Sequence, residues 1–179
     1  MLDKAKLFAE KAHEGQQRKG TGKPYIVHPI QVAETLHQAG CSIEVVCAGY
    51  LHDVVEDTDY DISDIENEFG KEVSRLVASH TEDKSKTWKE RKQHTIDTVK
   101  TGSKNVKYLI IADKLDNLLS TEQELEKHGD KVWNNFNAGY EKQKWYYESV
   151  ANHMYDGFLK AETPDFFKKY EKAVARVFG

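Results

Sequence analysis

Val45-Val46-Cys47-Ala48-Gly49-Tyr50-Leu51-His52-Asp53-Val54-Val55-Glu56-Asp57 is an apolar run that ends in four ionisable side chains. Read as one helix, it puts residues four apart on a shared face, so His52 stacks over Glu56 and Asp53 over Asp57. Isolated charges are costly to bury, so these groups need partners, protons or a cation. An imidazole beside a carboxylate supplies two ligands to a divalent metal, and the next turn offers two carboxylates able to handle an attacking water. A solvated stripe on an amphipathic helix is the ordinary explanation of a charge cluster. Here Val45, Val46, Leu51, Val54 and Val55 leave little room for a wide solvated face, which favours the metal site.

The surrounding composition sets limits. A chain of 179 residues, 39% hydrophobic and 31% charged, suits a single domain over 1–179 with a sizeable core. Lys plus Arg number 26 against 30 Asp plus Glu, a formal net charge of −4. Non-specific nucleic-acid binding rests on a positive excess, so no nucleic-acid partner is expected, although a local basic pocket for a phosphorylated ligand remains open. No apolar stretch approaches the roughly 18 residues of a membrane span. Met1-Leu2-Asp3-Lys4-Ala5-Lys6 lacks the hydrophobic region of a signal peptide. Cys41 and Cys47, read as reduced thiols, fit a cytoplasmic protein.

Helical periodicity dominates outward from the central run, with no convincing strand pair. Residues 2–17 carry Leu2, Ala5, Phe8, Ala9 and Ala12 on one face, before a loop from Arg18 to Pro24. Pro29 fits the first turn of a second helix closed by Gly40, and Ser42 fits the N-cap of a third running to about Glu56. Ser63-Asp64-Ile65-Glu66 reads as a capping box and Gly70 as a stop. Further helices are expected through Val73, Leu76 and Val77, over 88–101 and over 105–127. Gly129-Asp130 breaks the pattern before an aromatic helix from about Trp133 to Lys160. Thr163-Pro164-Asp165 caps a terminal helix over about 164–178. The expectation is one all-α helical bundle.

Two more segments extend the central cluster. His28 precedes Pro29 at the start of a helix, where a lone histidine is usually a cap or surface residue. Asp113 interrupts Tyr108-Leu109-Ile110-Ile111-Ala112, with Asn117 one turn later on the same face. A buried aspartate beside no obvious cation again asks for a metal or a charged partner. Together His28, His52, Asp53 and Asp113 form a two-imidazole, two-carboxylate set suited to a first-row divalent metal with positions left for water and substrate.

The spacing of these residues resembles the H…HD…D signature of the HD phosphohydrolase superfamily. The surrounding stretches, Ala12-His13-Glu14-Gly15-Gln16-Gln17-Arg18-Lys19, Pro24-Tyr25-Ile26-Val27-His28-Pro29, Leu51-His52-Asp53-Val54-Val55-Glu56-Asp57-Thr58, Phe69-Gly70 and Ala112-Asp113-Lys114-Leu115-Asp116-Asn117-Leu118, resemble the hydrolase domain of RelA/SpoT homologues over about residues 5–160. With no synthetase or regulatory region beside it, the chain looks like a free-standing small alarmone hydrolase. The resemblance implies an HD-domain bundle with a metal site in its core. It implies removal of the 3′-pyrophosphate from guanosine tetra- and pentaphosphate, with manganese as the usual metal. It makes His28, His52, Asp53 and Asp113 the metal ligands and Glu56 and Asp57 the pair that orients and deprotonates water. Arg18 and Lys19 become phosphate-binding cations, Asn117 a polar contact to sugar or phosphate, and Lys142 and Tyr146 nucleotide contacts.

Similar proteins often read Ala-Asp-Arg-Leu-His-Asn where this chain has Ala-Asp-Lys-Leu-Asp-Asn. Lys114 keeps the charge without the planar fork, and Asp116 weakens binding of an anionic ligand if it faces the pocket. The bland readings stand beside these. Arg18-Lys19 reads alone as an exposed basic loop, and the aromatic series from Trp133 to Tyr147 as core packing. The run Lys84–Lys92 reads as a mobile lid or a solvated helix start. His13, His37, His80, His94, His128 and His153 read as structural or surface residues. Two rival functions remain: an HD-type phosphohydrolase acting on an NADPH 2′-phosphate or a nucleoside monophosphate, and a non-catalytic nucleotide-binding module.

Overall fold

The apolar period of residues 106–118 becomes the central helix of an all-α bundle. The computed structural model describes residues 1–179 as α1 (Leu2–Ala12), α2 (Val27–Gln38), α3 (Ile43–Leu51), α4 (Val54–Asp57), α5 (Ile62–Phe69), α6 (Lys71–His80), α7 (Trp88–Thr101), α8 (Lys104–His128), α9 (Tyr140–His153) and α10 (Asp165–Phe178). Short 3-10 turns cover Gly129–Asn135 and Lys160–Glu162. The one β-type contact is an isolated bridge between Gln17 and Pro24.

Helix α8 starts at Ser103, whose side chain accepts the Val106 amide, and buries Val106, Leu109, Ile110, Ile111, Ala112, Leu115 and Leu118. It is apolar on most sides because α10, α2, α6, α3 and α7 all pack against it. On one side, α10 lays down Phe166, Phe167, Tyr170, Ala173 and Val174, the i, i+3, i+4 stripe of an amphipathic helix. On the other, α2 and α3 cross closely at Gly49. A Cβ at Gly49 would lie 3.0 Å from both Ala33 Cα and Leu36 Cδ1, so the crossing depends on a bare α-carbon there. That close approach brings the start of α2, with His28, to the end of α3, with His52.

Several local expectations give way to tertiary contacts. Helix α1 stops at Ala12 rather than near residue 17, because the chain turns through Gly15 at φ +78° to begin the loop carrying Arg18 and Tyr25. The third helix does not run unbroken to Glu56. It ends at Leu51, and Asp53 sits at φ −103°, ψ −1°, the sparsely populated bridge region found at many active sites. The break cancels the four-residue register, so His52 turns inward to His28 while Glu56 turns to the backbone of Glu82. The capping box of α5 is Asp61 with Asp64, not Ser63 with Glu66, and the Ser63 hydroxyl donates to Asp61. Trp133 lies in a 3-10 turn and only Tyr140–His153 is α-helical within the aromatic segment. Within Thr163-Pro164-Asp165 it is Pro164 that flanks α10, with no side-chain cap, and the Thr163 hydroxyl donates back to the Lys160 carbonyl. No helix is long and apolar enough to cross a membrane.

Candidate active site

His28 enters from the first turn of α2, His52 and Asp53 from the break after α3, and Asp113 from the middle of α8. All four are buried, His52 completely. His28 Nε2 lies 3.1 Å from His52 Nε2 and 2.9 Å from Asp113 Oδ1. Asp53 Oδ2 lies 2.9 Å from His52 Nε2 and 3.6 Å from His28 Nε2, and Asp113 Oδ1 is 3.4 Å from His52 Nε2. Four donor atoms are therefore gathered around one point, at the spacing of about 3 Å expected between neighbouring ligands of a small divalent ion.

The far side of each imidazole shows which atom faces that point. His28 Nδ1 is 2.6 Å from Asp116 Oδ2, and His52 Nδ1 is 2.7 Å from the Gly49 carbonyl oxygen. Acceptors at both Nδ1 atoms place the protons there and leave the two Nε2 lone pairs facing each other. Lone pairs at that separation, with two carboxylate oxygens alongside, call for positive charge. Burial pushes the imidazoles toward the neutral form, but for His28 the hydrogen bonds to Asp113 and Asp116, and for His52 the charge of Asp53, outweigh it. Both are held above the ordinary histidine range. The donor set fits a divalent metal.

Three residues outside the four candidate ligands complete this centre. His80 Nε2 and Lys114 Nζ each lie 2.9 Å from Asp113 Oδ2, the oxygen turned away from His28. Burial opposes the Asp113 charge, yet Lys114, His80 and the hydrogen bond from His28 hold its carboxyl well below the usual range. Treating His80 as structural or surface misses this contact. Its position after Val73, Leu76 and Val77 on the buried stripe of α6 was the available signal. The Tyr25 hydroxyl donates to Asp53 Oδ2 and pins the second carboxylate.

Glu56 and Asp57 follow on α4, and their carboxylates gather with that of Asp53. Glu56 Oε1 accepts the Glu82 backbone N–H at 2.8 Å. Burial, reinforced by the charge of Asp53, pushes the Glu56 carboxyl up to about 7. Asp57 is raised by the same two causes, although Lys84 3.6 Å away opposes them. A carboxyl poised near neutrality is suited to accept a proton.

A cavity of about 190 Å³ is lined by His28, Asp53, Glu56, Asp57, His80 and Asp113, though not by the fully buried His52, and shares Tyr25, His28, Glu56 and Asn117 with a neighbouring cavity of about 410 Å³. Arg18, Lys19, Asn117 and Tyr146 line the larger cavity. Arg18 Nη1 and Nη2 donate to Asp116 Oδ2 (2.8 Å) and Asn117 Oδ1 (3.1 Å), and Asn117 Nδ2 donates to Asp113 Oδ1 (3.2 Å). Tyr146 is buried and its hydroxyl has no partner within the protein. Lys142 is not brought to the cavity. Helix α9 turns Gln143, Tyr146 and Tyr147 inward, which leaves Lys142 on the solvent side. The run Lys84–Lys92 includes the capped start of α7, where Thr87 and Glu90 form a capping box. Trp88 and Lys92 from that helix line the cavity, and Lys92 pairs with Glu82 at 2.6 Å.

The fold and this His/Asp centre define the class: residues 5–140 match the HD domain, and the chain belongs to that family. Among named relatives it is 45% identical over 114 residues to human guanosine-3′,5′-bis(diphosphate) 3′-pyrophosphohydrolase MESH1, an alignment covering 62% of this chain and 64% of that protein. The match thus spans just under two thirds of the curated relative's length. The crystal structure of lmo0812 from Listeria monocytogenes superposes with a TM-score of 0.81 at 50% identity, covering 84% of this chain and 98% of that one. A metazoan SpoT orthologue described as hydrolysing ppGpp superposes with a TM-score of 0.79 at 27% identity, over 98% of this chain and 94% of that chain.

Proposed function

We propose that this chain is a metal-dependent phosphohydrolase that removes the 3′-pyrophosphate from guanosine tetra- and pentaphosphate, giving GDP or GTP and pyrophosphate. The observation that carries the reading is the meeting of His28 Nε2 and His52 Nε2 with carboxylate oxygens of Asp53 and Asp113, beside a cavity that His28 lines together with Arg18 and Lys19. The similarity to MESH1 supports the substrate class. In this reading residues 1–179 act as a single HD-type unit, since one apolar cluster runs from Ala5 to Phe178. A cytoplasmic setting is consistent with the free thiols of Cys41 and Cys47.

His28, His52, Asp53 and Asp113 would hold the cation, manganese in this reading. When bound, it supplies Lewis acidity that favours ionisation of water and offsets phosphoryl charge. The chain's own residues do the rest. Glu56, with Oε1 tied to the Glu82 amide, has Oε2 to receive the proton of the attacking water. Asp57 orients that water. The water oxygen bonds to the phosphorus on the ribose 3′-oxygen, the P–O3′ bond breaks, and pyrophosphate departs while the ribose oxygen gains a proton. Arg18 grips phosphate oxygens as a planar fork and Lys19 as a point charge. Asn117 contacts the sugar or phosphate, and Tyr146 offers its unpaired hydroxyl to the nucleotide.

Product analysis with manganese and each alarmone tests the reading. Pyrophosphate and GDP or GTP are expected. Release of orthophosphate from NADPH or a nucleoside monophosphate, with no pyrophosphate from either alarmone, would replace this substrate with a phosphomonoester.

A further inference from the structure

Asp116 lies beside the candidate phosphate-binding Arg18, where an anion threatens a pocket built for phosphates. The structure turns it elsewhere. Its Oδ2 faces His28 Nδ1 at 2.6 Å and Arg18 Nη1 at 2.8 Å, and its side chain is only 18% exposed. One carboxylate oxygen thus accepts from a candidate metal ligand and from a candidate phosphate-binding cation together. The chain of contacts continues from Arg18 Nη2 to Asn117 Oδ1 and from Asn117 Nδ2 to Asp113 Oδ1, which lies 2.9 Å from His28 Nε2. His28, Asp116, Arg18, Asn117 and Asp113 therefore close a ring.

We propose that Asp116 is a positioning residue that fixes the Nδ1–H form of His28, so that Nε2 is presented as a metal donor, and holds Arg18 at the cavity wall. The role rests on the metal-centre reading above and extends it to a residue outside the ligand set. The chemistry favours an anion over a neutral acceptor. An imidazole acceptor offers one lone pair, whereas a carboxylate oxygen accepts two donors and its charge strengthens both bonds. A carboxylate behind a ligating histidine also raises the basicity of the ring nitrogen that meets the metal. The negative charge of Asp116 is matched by Arg18 and does not stand open to phosphate.

Isothermal titration of the chelator-treated protein with Co²⁺ and Mn²⁺, alongside Asp116→Asn and Asp116→Leu, tests this directly. Asp116→Leu should bind about 10–100-fold more weakly, the usual loss when the partner of a ligating histidine is removed. Asp116→Asn should fall between, because its amide oxygen still accepts from His28 Nδ1 without the charge. A merely structural residue would lower the melting temperature and leave the affinity of the folded protein unchanged. Wild-type affinity in folded Asp116→Leu overturns the proposal, and if that variant does not fold, wild-type affinity in Asp116→Asn does so. If the wild-type protein binds neither ion, the metal-centre reading itself fails and this role falls with it, an outcome distinct from a wild-type site indifferent to Asp116.

Discussion

Removing the Asp113 carboxylate should destabilise the metal-free protein chiefly through Lys114 rather than through the loss of a ligand. Lys114 Nζ lies 2.9 Å from Asp113 Oδ2, and the two residues are 8% and 3% exposed. Burial pushes the Lys114 ammonium toward neutrality, and the attraction of Asp113 outweighs it, holding that lysine well above its ordinary range. In Asp113→Ala the ammonium keeps its burial and loses its counter-charge. Breaking a buried pair from one side costs about 3–5 kcal/mol. His80, His28 and Asn117 also lose an acceptor, hydrogen bonds worth about 1 kcal/mol each. Asp113→Ala in chelator, at about 6–8 kcal/mol in all, should therefore melt roughly 12–32 °C below wild type, taking about 2–4 °C per kcal/mol for a chain of this size. Asp113→Ala combined with Lys114→Met removes the stranded charge and should recover all but about 3 kcal/mol, because an apolar replacement of a buried pair is often neutral while the three lost hydrogen bonds stay lost. Urea unfolding of the four metal-free proteins (wild type, two singles, the double) measures these differences. A double variant no more stable than Asp113→Ala would refute the reasoning, as would an Asp113→Ala as stable as wild type. Neither variant that lacks Asp113 should hold the metal or turn over substrate.

Glu56→Gln should retain its metal while turnover falls about 10²–10⁴-fold, the range for a lost general base; loss of metal instead would make Glu56 a ligand. Because the working form is the carboxylate, raised by burial to about 7 in the free protein, wild-type activity should rise with pH through a limb no higher than about 7, a bound cation only lowering it. A pH profile of kcat/KM reads that limb, and a midpoint well above 7 would exclude Glu56 as its source. His80→Ala should weaken Mn²⁺ binding by about 10–100-fold with the fold intact, and His80→Gln should recover part of it, since only the contact to Asp113 Oδ2 is changed. Equal affinity in all three proteins would leave His80 without a role at the centre. Tyr146→Phe removes a buried hydroxyl that has no partner, so urea unfolding should show a gain of about 1 kcal/mol in the free protein while KM for the nucleotide rises. A destabilised Tyr146→Phe with unchanged KM would reverse that reading.

The helices were legible where the signal is local. The cap at Ser42 was written in the residue order, as were the stop at Gly70 and the limits of α7 and α8 to within a residue. The candidate ligands were legible for a different reason: His52, Asp53 and Asp113 interrupt apolar runs, and charge inside a core must be answered by something. What answers it lies far away in the chain. Asp113 is met by His80 of α6 and His28 of α2, and Asp53 by Tyr25 of the loop before α2, contacts that no periodicity encodes. The same holds for the break after Leu51. The apolar run continues through Val54 and Val55 with no glycine or proline to stop a helix, but the contacts of His52 and Asp53 with His28 and Tyr25 go with a break there. On α9, a turn of helix decides that Gln143 and Tyr146 face the cavity while Lys142 does not, and only packing against α7 and α10 fixes that rotation. The sequence by itself determined the all-α bundle and the chemical types gathered at its centre, because period, capping and buried charge act over a few residues. The tertiary structure alone decided which atoms meet, which nitrogen of each histidine faces inward and where Asp116 directs its charge, because those depend on how α2, α3, α6 and α8 cross.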